Sequence, residues 1–144
     1  MPPIYVYTDN SNFKDKTFNG TLAKENAAAV EQKMQEMVVK VIGKSPGFTT
    51  GKVQNPKGYA IRLKIAKLES TPHETKCTLS GELIRYPNAY SVKGSGQAMV
   101  STSFNGSAAA TGMGKFAVID CVEAIAESMV AKAIPAMRSD ITRW

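Results

Sequence analysis

The stretch of sequence that decides the fold is Tyr59-Ala60-Ile61-Arg62-Leu63-Lys64-Ile65-Ala66. Its large apolar side chains stand at every second position, which is the pattern of a β-strand with one buried and one solvated face. After a turn at residues 70–73 the alternation returns, and the side chains predicted to face inward are Cys77, Leu79, Gly81 and Leu83. Two such runs joined by a short turn predict antiparallel neighbours in one sheet.

A third alternating run is predicted beyond a turn at Pro87-Asn88. The side chains that it would bury are Tyr90, Val92, Ala98 and Val100. Glycines at positions 94 and 96 interrupt this run and indicate a bulge or a close approach between backbones. Residues 102–114 are small and polar, so they are predicted to form a loop. Short connections between the three runs favour an antiparallel meander.

A long helix is predicted before these strands, from Thr21 to Ile42. Its apolar residues recur at spacings of 3 and 4, which places them on one stripe of a helix: Ala23, Ala27, Val30, Met34, Met37 and Val41. Thr21 is the predicted N-cap, and Gly43 is the predicted left-handed stop. The β-branched and aromatic run at residues 4–7 predicts a short first strand.

A second helix is predicted from Lys115 to Pro135. Residues 136–144 form a C-terminal tail that is expected to add a turn or two of helix, with Trp144 as its anchor. The predicted order is therefore β-α-β-β-β-α, an α+β fold in which two helices cover one face of an antiparallel sheet. We expect residues 1–144 to form a single domain, because a chain of this length buries roughly two thirds of its unfolded surface.

The composition excludes several classes of protein. Apolar residues make up 43% of the chain, so it is not an intrinsically disordered sequence. No segment approaches the roughly 20 consecutive apolar residues of a membrane-spanning helix. Residues 1–9 lack the basic and apolar parts of a signal peptide. Whether an export signal has been removed from a precursor stays open.

Few residues offer chemistry for catalysis. The single histidine, His73, falls in a predicted turn and is expected to be a surface residue. The segment Gly112-Met113-Gly114-Lys115 lacks the spacing of a phosphate-binding loop, which leaves a flexible start of a helix. Acidic residues at positions 120, 123 and 127 have the spacing of a solvated helix flank. We therefore expect no enzyme, no metal site and no cofactor.

Both cysteines are predicted to point into the same layer. Cys77 lies on the inward face of a strand, and Cys121 lies on the inward face of the second helix. Two interpretations follow, a disulfide or two separate buried thiols, and we favour the disulfide. A disulfide would indicate an oxidising compartment, periplasmic or extracellular. Free thiols would indicate the cytoplasm.

The formal net charge of +6 calls for a test of nucleic-acid binding. Four basic residues are predicted on the outward sheet face as a candidate interaction face: Arg62, Lys64, Lys76 and Lys93. Polar residues separate them, and no aromatic side chain is predicted there for a base to stack on. We therefore interpret this sheet face as a solvated surface that favours acidic partners only mildly.

The chain also resembles a group of bacterial envelope proteins. The run Ile4-Tyr5-Val6-Tyr7, the Asn-rich loop at residues 9–12, a long helix, paired strands and a C-terminal helix look like small periplasmic α/β modules of envelope lipoproteins. These modules are related to the curli secretion lipoprotein, the TolB N-terminal domain and the activators of penicillin-binding proteins. The resemblance implies a non-enzymatic protein that works by binding other proteins.

These observations lead to one expected function and one alternative. We expect a protein-interaction or structural subunit of an extracytoplasmic bacterial assembly, with other proteins or a second copy of itself as partners and no small-molecule substrate. Edge strands of the sheet would be available to add to a neighbouring sheet. The alternative is a basic nucleic-acid-binding module that uses the outward sheet face.

Overall fold

The computed structural model describes residues 3–8, 25–51, 57–86 and 102–143. Seven elements lie within them: β1 (Ile4–Thr8), α1 (Ala27–Gly43), β2 (Phe48–Thr49), β3 (Gly58–Ser70), β4 (Glu74–Tyr86), β5 (Thr102–Thr111) and α2 (Lys115–Ile141). The predicted strand at residues 90–100 and the predicted cap at Thr21 lie outside the described residues. The fold is α+β, as predicted, with two helices and a five-stranded sheet in the described part of the chain.

The sheet is mixed, so the prediction of a fully antiparallel sheet is wrong. Its strand order is β2-β1-β3-β4-β5. Strand β1 runs parallel to both β2 and β3, whereas β3, β4 and β5 are antiparallel to one another. The long connection through α1 carries the chain back over the sheet, which permits parallel pairing of β1 with β3. The two-residue β2 was not predicted.

One hydrophobic core lies between the sheet and the helices. As predicted, the alternating residues of β3 and β4 supply its strand side: Tyr59, Ile61, Leu63, Ile65, Cys77, Leu79 and Leu83 are all buried. Both helices contribute to the same cluster, α1 through Val30, Met34 and Ile42 and α2 through residues such as Val118 and Met129. The helices therefore cover one face of the sheet, because that face carries the core residues of β3 and β4.

The end of α1 differs from the prediction. Gly43 is the last helical residue and lacks a left-handed φ, so the predicted left-handed stop is wrong there. The chain instead turns at Gly47, whose φ is +84°. The hydroxyl of Ser45 donates a hydrogen bond of 2.8 Å to the carbonyl of Val41, which also accepts one of 3.2 Å from the backbone N–H of Lys44. Both bonds stabilise the last helical turn.

Strand β5 replaces the predicted loop at residues 102–114. It pairs with β4 without a bulge, from Thr111 opposite Glu74 to Thr102 opposite Leu83. Small residues fit here because α2 packs closely over the strand: a Cβ on Gly106 would lie 2.5 Å from the Cδ1 of Ile125. Low intrinsic strand propensity is thus outweighed by pairing with β4 and by packing under α2.

Helix α2 begins at Lys115, as predicted, but it continues through Pro135 to Ile141. A proline inside a helix removes one backbone hydrogen bond. Burial of Ala133 and Met137 on either side of Pro135 offsets this loss. Among the described residues, neither helix has the length and hydrophobicity needed to cross a membrane.

Candidate functional site

The structure joins Cys77 and Cys121 in a disulfide between β4 and α2. Their Cα atoms lie 6.2 Å apart, and both residues are fully buried. The Sγ of Cys121 also lies 3.2 Å from the carbonyl oxygen of Ala108 on β5. Because this sulfur is oxidised, the contact is not a hydrogen bond in the disulfide state. The bridge fixes the helix layer to the central part of the sheet.

A partly buried polar cluster connects the end of α2 to the sheet. The guanidinium of Arg85 donates two hydrogen bonds of 3.0 Å to the carboxylate of Asp140, through Nε and Nη2. The hydroxyl of Tyr59 donates a hydrogen bond of 2.6 Å to the same carboxylate. Tyr59 and Arg85 stand opposite each other on β3 and β4. Because these three hydrogen bonds are donated to the carboxylate, Asp140 can remain charged although its side chain is little exposed.

This cluster shifts the acidities of its members. The hydrogen bonds from Arg85 hold the pKa of the Asp140 carboxyl below its usual range, and the hydrogen bond from Tyr59 adds to that effect. Burial raises the pKa of the Tyr59 hydroxyl, and its bond to Asp140 raises it further. Both shifts favour the protonated tyrosine beside a charged carboxylate. These hydrogen bonds hold the end of α2 against the sheet. No local pattern in the sequence predicts that Tyr59, Arg85 and Asp140 meet.

The predicted basic face is only partly within the described residues. Arg62, Lys64 and Lys76 lie on the sheet face opposite the helices, whereas Lys93 lies outside the described residues. Carboxylates stand beside two of these cations: Glu82 lies 3.8 Å from Arg62, and Glu74 lies 3.3 Å from Lys76. Positive charge on this face is therefore partly compensated.

Aromatic side chains lie on that same sheet face, which corrects the expectation that it has none. Tyr5 stands opposite Gly58, which in turn stands opposite Tyr86, so the three lie in one row across the sheet. The rings of Tyr5 and Tyr86 have centroids 5.3 Å apart, and those of Tyr7 and Tyr86 lie 5.4 Å apart and are stacked. Tyr7 is 41% exposed. No local pattern in the sequence indicates this cluster, because Tyr86 lies at the end of one strand and Tyr5 and Tyr7 lie on another.

Hydrogen bonds also organise the turn that carries His73. The backbone N–H of Gly112 donates a hydrogen bond of 2.9 Å to the carbonyl of His73. The buried hydroxyl of Thr75 donates to the carbonyl of Gly112 at 2.9 Å. Gly112 and Gly114 have φ values of +87° and +95°, a conformation that glycine adopts without strain. The start of α2 is thus fixed to the β3–β4 turn, and the side chain of His73 is exposed.

A shallow hollow of about 420 Å³ lies over β3, β4 and β5. Its polar lining includes Lys67, Glu69, Lys76, Thr78 and Ser107. Lys67 and Glu69 form an exposed ion pair of 3.3 Å, and such pairs contribute little to stability.

Within the described ranges no group of three or more potential ligands is placed to hold a metal ion. Trp144, the predicted anchor, lies outside the described residues.

Comparison with known proteins gives a likeness to solved structures. No protein-family model matches the chain, and no curated protein matches it in sequence. A crystal structure described as that of a "putative lipoprotein" from Caulobacter crescentus CB15 is similar over 98% of this chain and 88% of that chain, at 13% identity and a TM-score of 0.37. At this TM-score the likeness carries no argument about function. The resemblance to specific envelope modules stays a prediction.

Proposed function

We propose that this chain is a non-enzymatic protein-interaction or structural subunit of an extracytoplasmic assembly. The observation that carries the proposal is the buried disulfide between Cys77 and Cys121. Structural disulfides persist in oxidising compartments and are rare in the cytosol of mesophiles. The bridge lies between two layers of the core, so it supports the fold as a whole.

The polar groups of the interior support the same proposal. Arg85 and Tyr59 donate hydrogen bonds to Asp140 and so hold the end of α2 against the sheet. Thr75 donates a hydrogen bond to the carbonyl of Gly112, just before the start of α2. These contacts connect one element to another and do not converge on a cleft. A scaffold fixed at both ends of its longest helix presents a rigid surface, which suits a binding or structural role.

The oxidation state of the cysteines in the native host tests this proposal. Cells are quenched with acid, free thiols are alkylated, and the intact mass of the protein is measured before and after reduction. We expect no alkylation before reduction and two alkylated cysteines after it. A Cys77→Ser variant, which should show one reactive thiol after unfolding, controls for incomplete labelling. Two free thiols in native material would contradict the extracytoplasmic role.

A subunit of an assembly should also be found in a complex with other proteins or with a second copy of itself. Chemical cross-linking in intact cells, followed by purification through a C-terminal tag, should capture the chain in a defined complex. The matched control is the same purification under denaturing conditions from cells that received no cross-linker, which should yield the tagged protein without that complex. A chain that is oxidised and folded but always alone would contradict the assembly role.

One observation favours the alternative, a nucleic-acid-binding module. The tyrosine cluster of Tyr5, Tyr7 and Tyr86 lies on the sheet face that also carries Arg62 and Lys64. Tyr7 is the exposed ring of this cluster, and an exposed aromatic ring beside basic residues is a feature by which proteins bind single strands. We propose this role second, because carboxylates compensate part of the charge on this face.

Fluorescence anisotropy with labelled single-stranded RNA and DNA tests the alternative. It predicts affinity that falls steeply as salt rises and weakens in Tyr7→Ala and Lys64→Glu variants. Lys132→Glu, on the exposed side of α2, changes the net charge equally and should weaken binding less. Absence of binding at low salt would rule this role out.

A further inference from the structure

Strand β5 forms a long edge of the sheet. It is last in the strand order and pairs along its whole length with β4. No other described residue makes a backbone hydrogen bond to β5 along its second edge. A row of N–H and C=O groups without ladder partners is a template for the strand of another chain.

Strand β5 also lacks the features by which proteins usually block an edge. Its ten residues, TSFNGSAAAT, include no charged residue and no proline, and its pairing with β4 contains no bulge. The opposite edge of the sheet is different, because β2 is only two residues long and follows Pro46 and Gly47. On that side β3 also continues past Ile61, the last residue that pairs with β1, but this part of the strand carries charged residues such as Lys67 and Glu69. In the described sheet, β5 is therefore the long edge without charged residues.

We propose that two copies of this chain join β5 to β5 in antiparallel pairing, forming a continuous sheet across a two-fold axis. This inference rests on the proposed function and deepens it by naming the surface and the partner. A two-fold axis perpendicular to the sheet places residues of the same face opposite each other. If Gly106 pairs with Gly106 of the second copy, Phe104 stands opposite Ala108, a large side chain beside a small one.

Two properties of β5 favour a second copy over a foreign peptide. Because the strand is uncharged, self-pairing brings no like charges into opposition, and the strand has no charge with which to select an acidic or basic peptide. Pairing through β5 also uses the long edge of each molecule and leaves β2 at both outer ends. The assembly therefore closes as a dimer and does not grow into a fibre.

Charge-reversal variants test this interface. Asn105 and Ala109 are exposed on the sheet face away from the helices, and they lie opposite or diagonal to each other across the two-fold axis. A lysine variant carries Asn105→Lys with Ala109→Lys, and a glutamate variant carries Asn105→Glu with Ala109→Glu. The matched control, Gln32→Lys with Gln35→Lys, adds the same charge to the exposed side of α1.

The mass in solution is measured by light scattering after size exclusion, over a range of concentrations. We expect the unmodified protein and the control to reach twice 15.5 kDa at high concentration. Each β5 variant alone should stay monomeric with an unchanged circular dichroism spectrum. An equimolar mixture of the two variants should regain the dimer mass, because lysines then face glutamates.

Hydrogen exchange on the unmodified protein decides the outcome if a variant fails to fold. Amides of residues 102–111 should exchange several-fold more slowly at high than at low protein concentration, whereas those of β3 should not change.

Three results would each overturn the proposal: equal exchange of the β5 amides at both concentrations, a strictly monomeric protein, or β5 variants that dimerise like the control. A foreign protein bound at β5 of a monomer would overturn it too, yet would leave the proposed function intact. Free thiols would instead contradict the proposed function and leave the dimer intact.

Discussion

Asp140 shows how much of the fold depends on one side chain. It lies near the end of α2 and receives hydrogen bonds from two strands of the sheet. Its carboxylate is 15% exposed, so water replaces those bonds only in part if they are broken. Removing the carboxylate takes a charged acceptor away from Arg85 and Tyr59 in a partly buried site, which costs more than the loss of a neutral surface hydrogen bond.

We expect Asp140→Ala to lower the free energy of unfolding by about 2–3 kcal/mol, because Arg85 loses two charge-assisted hydrogen bonds and Tyr59 loses its shorter one. Urea denaturation followed by circular dichroism measures the change. Asp120→Ala, on the exposed side of the same helix, serves as the control and should alter stability by less than about 0.5 kcal/mol. Equal effects of the two substitutions would contradict the role of the cluster.

The same cluster predicts a dependence on pH. The folded protein lowers the pKa of Asp140, so this group stabilises the fold fully above the ordinary carboxyl pKa of about 3.9 and loses its contribution as the pH falls through the lowered value. The stability difference between the unmodified protein and Asp140→Asn should therefore be constant from pH 7 to pH 5 and shrink in more acidic solution. Denaturation at several pH values measures it, and a difference that persists unchanged in strong acid would refute this origin.

Gly81 allows the ring of Phe104 to lie directly against β4. A Cβ at this position would lie 2.8 Å from the Cζ of Phe104. We expect Gly81→Ala to destabilise the protein by about 1–3 kcal/mol, since the partly buried ring must move. Gly43→Ala is the matched control, because nothing lies within 4 Å of its added Cβ, and it should be neutral or slightly stabilising. Phe104→Leu should relieve part of the Gly81→Ala penalty if the clash is its cause.

At the scale of elements, the disulfide and α2 determine how the layers hold together. Sheet and helix are linked covalently at Cys121, in the second turn of α2, and by polar groups near both ends of the helix. Between α1 and α2 the polar contact is an exposed ion pair of Lys40 with Glu127, 3.4 Å apart, which contributes little. Helix α1 therefore depends mainly on its buried apolar residues.

Reduction of the disulfide should lower the melting temperature by about 10–15 °C, because the bridge removes about 4 kcal/mol of chain entropy from the unfolded state. Since both cysteines are buried, the protein is reduced while unfolded and then refolded before scanning calorimetry. The double variant Cys77→Ser with Cys121→Ser should not respond to reductant. An unmodified protein that also fails to respond would show that the bridge does not form.

For the whole molecule, charge separates the two modes of association. The net charge of +6 makes two copies repel each other, whereas it attracts nucleic acid. Because salt screens both effects, raising ionic strength from about 0.05 M to about 0.5 M should strengthen dimerisation and weaken any binding of nucleic acid. Sedimentation velocity and anisotropy on the same samples measure the two trends. Dimers that dissociate as salt rises would argue against pairing through the uncharged β5.

The sequence by itself predicted those parts of the protein that have a local signature. The alternation in β3 and β4, the spacing in α1 and the start of α2 each follow from a pattern within one segment. The common inward direction of Cys77 and Cys121 followed from placing each residue on its own element.

Only the tertiary structure decided which distant segments meet. Parallel pairing of β1 depends on a crossover through α1, and β5 is a strand because β4 and α2 enclose its small residues. The contacts of Asp140 with Tyr59 and Arg85 join residues 81 and 55 positions apart in the chain. Such contacts carry no periodicity within either segment, so packing and pairing across the whole chain determine them.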